Sequence, residues 1–220
     1  MRNRWFRLLV LSSLCFYSVG CSNRAQQAKT QEAIQWLKKC PPAPDLPNIT
    51  PFGVVPYSSH EEWVNAGRRI EGLEEVLIDL ATIYRSEMAQ MNMHDWFIIY
   101  CVGVVGSPNS VPPLVQIMED RDRDFWTRQS AVLALGEIGD GSAVEPLCRI
   151  LSATKPDSWS TETFSLFKRN VIYALGMIGE RKAIPFIEGA LKDHQFSQSL
   201  NDHQFARDRI LEILEELRRK

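Results

Sequence analysis

Few residues in this chain have a claim to chemistry. Asp120, Asp122 and Asp124 alternate as the first ligands of a calcium loop would, where hard oxygens converge on one ion. Arg121 and Arg123 fill the gaps, no Gly stands at the sixth position, and the twelfth is Ala131 instead of a bidentate Glu. The arginines neutralise these acids, and Asp124 or Thr127 is expected to cap the helix that follows. Asp193-His194-Gln195-Phe196 recurs as Asp202-His203-Gln204-Phe205. Two imidazoles and two carboxylates could hold a transition metal, but the nine-residue spacing is no familiar ligand pattern and no third His stands close in sequence. Loop and cap roles are the better reading, and no metal is expected. No Ser-His-Asp order, Gly-x-Ser-x-Gly elbow, His-Glu-x-x-His helix or phosphate-cradling Gly loop occurs. Neither catalysis nor a cofactor is expected. Trp126 and Trp159 remain. Both lie in connections leading into a helix, where an exposed indole could anchor a partner or simply pack locally.

The chain has 220 residues, 45% of them hydrophobic and 24% charged, a composition that folds. A formal charge of -2 gives no polycation for nucleic acid. Arg2, Arg4 and Arg7 precede an apolar run from Leu8 to Val19, too short to span a bilayer, and the small residue Gly20 closes it. That is a secretory signal over residues 1–20. Ser18-Val19-Gly20-Cys21 resembles the lipobox of bacterial lipoproteins, with Ser18 where that family commonly has Leu. The resemblance implies that Cys21 receives a diacylglycerol, that the leader is removed before it, and that the new amine is acylated. Two or three acyl chains anchor stably where one is marginal. Localisation in the bacterial cell envelope follows, facing the periplasm from the outer membrane if the cell is Gram-negative, because Ser22 rather than Asp succeeds the Cys. Of the remaining thiols, Cys40, Cys101 and Cys148 fit no zinc or redox spacing, and three cannot pair completely. Cys101 and Cys148 fall on helix positions suited to small buried hydrophobes.

Residues 21–57 read as a lipidated Cys and a proline-rich tether. Pro41, Pro42, Pro44, Pro47, Pro51 and Pro56 prevent any long helix, and only Gln31 to Lys39 suggests a short one. Residues 58–220 read as one domain. Ser58 or Ser59 can cap a helix opening on Glu61 and Glu62, and Leu73, Val76, Leu77 and Leu80 mark one apolar helical face. Sustained alternation is absent. The class is all-α.

Self-similarity then organises the domain. Ile98-Ile99-Tyr100-Cys101-Val102-Gly103-Val104-Val105-Gly106 aligns with Ala131-Val132-Leu133-Ala134-Leu135-Gly136-Glu137-Ile138-Gly139 and with Val171-Ile172-Tyr173-Ala174-Leu175-Gly176-Met177-Ile178-Gly179. The spacing of the first glycines is 33 and then 40, with the extra residues falling in a polar stretch from Ser152 to Phe164. Downstream, Ser110-Val111-Pro112-Pro113-Leu114, Ala143-Val144-Glu145-Pro146-Leu147 and Ala183-Ile184-Pro185-Phe186-Ile187 match as well. Gly103, Gly136 and Gly176 are expected to let a neighbouring helix approach closely. Gly106, Gly139 and Gly179 are expected to end the helix in a left-handed conformation, and proline opens the next helix. Each unit is helix, turn, antiparallel helix. One unit cannot bury its apolar faces alone, so the units must stack.

These residues resemble HEAT repeats, in the short bacterial form also seen in phycobilisome lyases; the likeness covers about residues 95–192. It implies a short right-handed α-α superhelix of four to five helix pairs, with degenerate ends from His60 to Leu80 and from Arg207 to Leu217. It also implies a protein-protein interaction scaffold, here one held at the membrane by its lipid. Gln116, Glu119, Glu145, Arg149, Glu188 and Lys192 are placed on the outer ridge of second helices by helical offset, with Trp126 and Trp159 at the edge. The lyase likeness carries an alternative, help in attaching a bilin. Export weighs against it, because such lyases act in the cytosol.

Overall fold

The computed structural model describes residues 24–38, 61–83 and 95–220, and all regular structure among them is helical. The leader, Cys21, Cys40, the proline-rich stretch and the Ser58/Ser59 cap lie outside the described residues. The helices are α1 (Arg24–Lys38), α2 (Glu61–Arg68), α3 (Leu73–Ile83), α4 (Asp95–Val105), α5 (Val111–Glu119), α6 (Phe125–Ile138), α7 (Val144–Leu151), α8 (Thr161–Ile178), α9 (Ile184–Lys192), α10 (His194–Asn201) and α11 (Gln204–Arg219). The repeated segments become the pairs α4/α5, α6/α7 and α8/α9, each joined through one turn of 3-10 helix. Helices α4, α6, α8 and α11 pack side by side as a first row, while α7 touches α9 and α9 touches α11 in a second. This is the stacked, paired-helix solenoid that the repeat requires.

First-row helices sit between neighbours, so they are apolar on more than one face. In α4, Ile98, Ile99, Cys101, Val102 and Val104 are all buried; in α8, Phe167 and the run Val171 to Leu175 are. Second-row helices are two-sided. In α7, Val144, Leu147, Cys148, Ile150 and Leu151 face inward while Glu145 and Arg149 face solvent. The last helix closes the stack with Ile210, Ile213, Leu214 and Leu217 inside and its charges outside.

What sets the separation of the row is the first glycine of each repeat. A β-carbon on Gly103 would stand 2.7 Å from Cα of Ala134, and one on Gly136 would stand 2.9 Å from Cα of Ala174. At the end of the stack Gly176 meets Ile213, 2.9 Å from its Cγ2. The second glycines behave differently from one another. Gly139 (φ 72°) and Gly179 (φ 79°) take the left-handed conformation, each N–H bonding back to the carbonyl of Leu135 or Leu175. Gly106 does not. Its N–H still reaches the Val102 carbonyl at 2.7 Å, but the chain runs on into Ser107, which is extended because Pro108 follows it. Glu74 of α3 holds that turn, accepting from the Ser107 N–H at 3.1 Å, from the Ser107 hydroxyl at 3.0 Å and from the Ser110 hydroxyl. In the first repeat an acid from the preceding pair replaces the left-handed closure.

The N-terminal stretch also departs from expectation. Helix α1 begins at Arg24, well before Gln31, and docks on α2 and α3 rather than hanging in a tether. Ala33, Ile34, Trp36 and Leu37 recur at helical spacing and are buried, and the Trp36 ring fills the space beside Gly67, where a β-carbon would come within 2.5 Å of it. Helix α3 packs on α1 and α4, with Leu73, Val76, Leu77 and Leu80 as its buried stripe. None of the described helices is long and apolar enough to cross a membrane.

Asp124 is the N-cap of α6, as expected. Its carboxylate accepts from the N–H groups of Trp126 (2.9 Å) and Thr127 (3.0 Å) and from the Thr127 hydroxyl (2.6 Å). Partial burial pushes its pKa up, but these hydrogen bonds outweigh it and hold the carboxyl below its ordinary value.

Three substitutions test these contacts. Gly136→Ala gains about 1 kcal/mol of helix propensity yet is expected to lose stability by about 1–3 kcal/mol, because backbone must yield. Gly189→Ala on α9, where a β-carbon meets nothing within 4 Å, is expected to raise stability by about 0.5–1 kcal/mol; urea unfolding reads both signs. Asp124→Ala is expected to cost about 1 kcal/mol at neutral pH. A depressed folded pKa means that the carboxylate's contribution is present above the ordinary pKa of about 3.9 and fades as pH falls through the folded value. The gap between wild type and Asp124→Ala in urea melts therefore narrows below about pH 4.

Candidate functional site

The outer face of α5 and α7 brings three of the predicted ridge residues together. Arg149 donates to Glu119 at 2.9 Å across two repeats and lies 3.7 Å from Glu145 one turn before it on α7. The bond from Arg149 to Glu119 raises the guanidinium pKa, consistent with a formed pair. Glu188 is set apart, paired with Arg218 of α11 at 2.6 Å. Gln116 and Lys192 are exposed at the two ends of this surface. Both inter-repeat pairs join residues 30 apart in sequence, so the ridge is a line of exposed ion pairs, each contributing roughly 0–1 kcal/mol.

The two tryptophans separate. Trp126 is 48% exposed at the first turn of α6 and meets Phe125 edge-on at 5.1 Å. Trp159 is partly buried against the core. Its ring stands edge-on to Phe125 (5.4 Å) and Phe167 (5.1 Å), and the Arg128 guanidinium lies over it at 4.6 Å. The loop that carries it is shorter than the expected polar stretch, since α8 already begins at Thr161, capped by Ser160. Lys155 ties the loop together by donating to the Trp159 carbonyl at 2.7 Å. Trp159 is thus a packing residue between repeats, and Trp126 is the exposed indole of the pair.

Sequence reasoning overlooked the arginines that bind helix ends. Arg128, 5% exposed, donates its Nε to the Met118 carbonyl at the end of α5 (2.8 Å). Arg123 donates to the Ala81 carbonyl of α3 (3.0 Å) and Arg68 to the Val104 carbonyl of α4 (3.1 Å). Each cation meets the negative end of a helix from another unit, where last-turn carbonyls have no intrahelical partner. The one available signal was the shared position of Arg128 and Lys168, eight residues before their repeat glycines. Lys168 is also buried, 3.6 Å from Asp193.

The remaining candidates have structural places. Arg123 pairs with Asp120 at 3.2 Å. Asp193 caps α10, accepting from the Phe196 N–H at 2.9 Å, a bond that lowers its pKa. His203 lies 3.2 Å from Glu162. Among the described residues no three His, Cys, Asp or Glu side chains converge on a metal position. Burial pushes the Cys148 thiol up to about 11, so the thiolate is scarce at neutral pH.

With this geometry in view, the comparisons agree. Residues 93–166 match the family model for HEAT repeats, and residues 167–193 match that for the PBS lyase HEAT-like repeat. The middle of the chain consists of HEAT-type repeats. No curated protein matches the chain. HEAT repeats generally mediate protein binding, and a solenoid presents an extended surface suited to it. In this stack Trp126 and the charged side chains of the α5–α7 ridge are exposed, whereas Trp159 is partly buried against the core.

Truncating the two indoles should therefore have unlike effects. Trp159→Ala is expected to lower stability by roughly 3 kcal/mol through the lost aromatic packing, and Trp126→Ala by less than about 1 kcal/mol. Thermal melts of the two variants side by side test it; equal losses would contradict the division.

Proposed function

We propose that this protein is a membrane-anchored lipoprotein of the bacterial cell envelope whose HEAT-type repeats serve as a scaffold for a protein partner. The observation that carries the scaffold is the second-row face, where charges from successive repeats stand in line outside a sealed apolar interior. Trp126, half exposed at the first turn of α6, supplies the large aromatic surface on which binding energy tends to concentrate. Gln116, Glu119, Glu145, Arg149, Glu188 and Lys192 would supply the polar rim. The reading includes no catalytic step.

The anchor is supported by the leader-like first 20 residues and by Cys21 in its lipobox-like setting. Helix α1 alters what such an anchor would do. It begins three residues after Cys21 and is docked on α2 and α3. Extended chain spans at most about 3.5 Å per residue, so lipid on Cys21 would hold the N-terminal end of the stack within about 10 Å of the bilayer surface. The platform would stand on the membrane instead of floating from a long tether. The acidic balance left once Arg2, Arg4 and Arg7 are removed with the leader keeps the body from lying flat on anionic lipid.

Intact mass of the protein from a membrane fraction tests the anchor. The expected product begins at Cys21 and is heavier than the bare chain by two or three acyl groups, while Cys21→Ser leaves the membrane fraction. An unmodified mass, or a Cys21→Ser protein that fractionates as before, would rule the lipid out.

A further inference from the structure

Beside the Glu119–Arg149 pair the start of α6, the end of α7 and the loop after it enclose a cavity of about 250 Å³. At about 30 Å³ per water it suits the end of a side chain or a small molecule. Phe164 and Pro156, both partly exposed, give it apolar walls above the buried Phe167, and Arg121, Arg128 and Arg149 face a single lining carboxylate, Glu119. That carboxylate is already committed to Arg149. Among the described residues neither Arg121 nor Arg128 forms an ion pair.

Arg128 is the centre of this arrangement. It is 95% buried, its Nε is held by the Met118 carbonyl, and its Cζ lies over the rings of Trp159 (4.6 Å) and Phe167 (5.3 Å). Its two terminal nitrogens make no hydrogen bond among the described residues. Burial and the Arg121 charge both push its pKa down, with Asp120 only opposing in part. A buried guanidinium without a counter-ion is costly, and one already held at Nε and packed on two rings loses less freedom when an anion binds its remaining nitrogens.

We propose that this cavity binds a carboxylate carried on an aromatic or other apolar body, with Arg128 as the fixed donor, Arg121 as the second cation, and Phe164 and Pro156 as the wall against which the body packs. The balance of charge favours a monoanion over a phosphate dianion, because Glu119 also lines the cavity, and the apolar side formed by Phe164 and Pro156 would leave a bare phosphate half unsatisfied. The proposal rests on the reading of the neighbouring ridge as a docking face and gives that face its chemistry. A peptide ending in an aromatic residue and a free aromatic acid share that chemistry.

The test is calorimetric titration of the full chain in detergent with N-acetyl-phenylalanine and with its amide. The acid is expected to saturate one site and to bind at least about tenfold more tightly than the amide, the weight of a charge-assisted hydrogen bond. Arg121→Ala, at an exposed position, is expected to weaken the acid severalfold without changing the thermal melt, and Arg128→Met about tenfold or more. If Arg128→Met fails to fold, Arg121→Ala decides. A hexapeptide with a C-terminal Phe carboxylate that binds about tenfold more tightly than the single residue identifies a peptide as the source, and equal binding identifies a small molecule; both uphold the site. Equal binding of acid and amide, no saturation, or an unaffected Arg121→Ala overturns it. That failure would leave the scaffold reading standing on Trp126 and the ridge, and an absent lipid on Cys21 would leave the cavity untouched.

Discussion

First-row helices in this stack approach until backbone touches backbone. Gly103 lies under Ala134 and Gly136 under Ala174 at distances that admit no side chain on the glycine. Close packing of this kind is unforgiving, since interiors are nearly void-free and helices cannot part locally without opening a gap along their length. The row spacing then sets everything further out. Second-row helices are tied to the first by short turns, so their separation follows, and with it the reach that lets Arg149 meet Glu119 and Arg218 meet Glu188.

Tight apolar packing has a cost at the helix ends, where carbonyls without intrahelical partners are drawn into the interior between units. Here arginines answer that cost. Arg68, Arg123 and Arg128 each reach from one unit to the last turn of a helix in another, so neighbouring units are joined by charge-assisted bonds as well as by burial. Glu74 does the reverse, accepting from the turn of the first repeat where Gly106 lacks the left-handed closure. The interior of this solenoid is therefore continuous in two senses, apolar along the row and polar at its joints.

The row and its turns were legible from letters alone, because a repeated glycine has few physical meanings and the proline after it only one. Gly139 and Gly179 close their helices as a repeated Gly-x-Ile-Gly suggests, and Asp124 caps as its place before α6 suggests. Gly106 was misread for a reason visible in its neighbour: Pro108 imposes extended backbone on Ser107, and the turn takes another path. Helix α1 was underestimated because Arg24 to Thr30 is polar, and only docking on α2 and α3 makes helix worthwhile for such residues. Arg128 was the least legible of all. Nothing in an arginine's letter distinguishes a solvated charge from one locked between two aromatic rings, and the carbonyl it serves lies ten residues away across a turn.

Regularity explains the scaffold, but the features able to discriminate a ligand come from its interruption. The second and third repeats are separated by 40 residues where the first two are separated by 33, and the added length supplies the loop with Trp159 and the extra turn of α8 with Phe164. Those additions wall the cavity and cover the Arg128 guanidinium with the Trp159 ring. The equivalent Lys168 is buried as well, but it has a carboxylate, Asp193, 3.6 Å away, whereas Arg128 forms no ion pair among the described residues. Specificity in a solenoid of this kind thus depends on where one unit fails to copy the last. In this chain that place adjoins the paired charges of α5 and α7, since Glu119 and Arg149 both line the cavity.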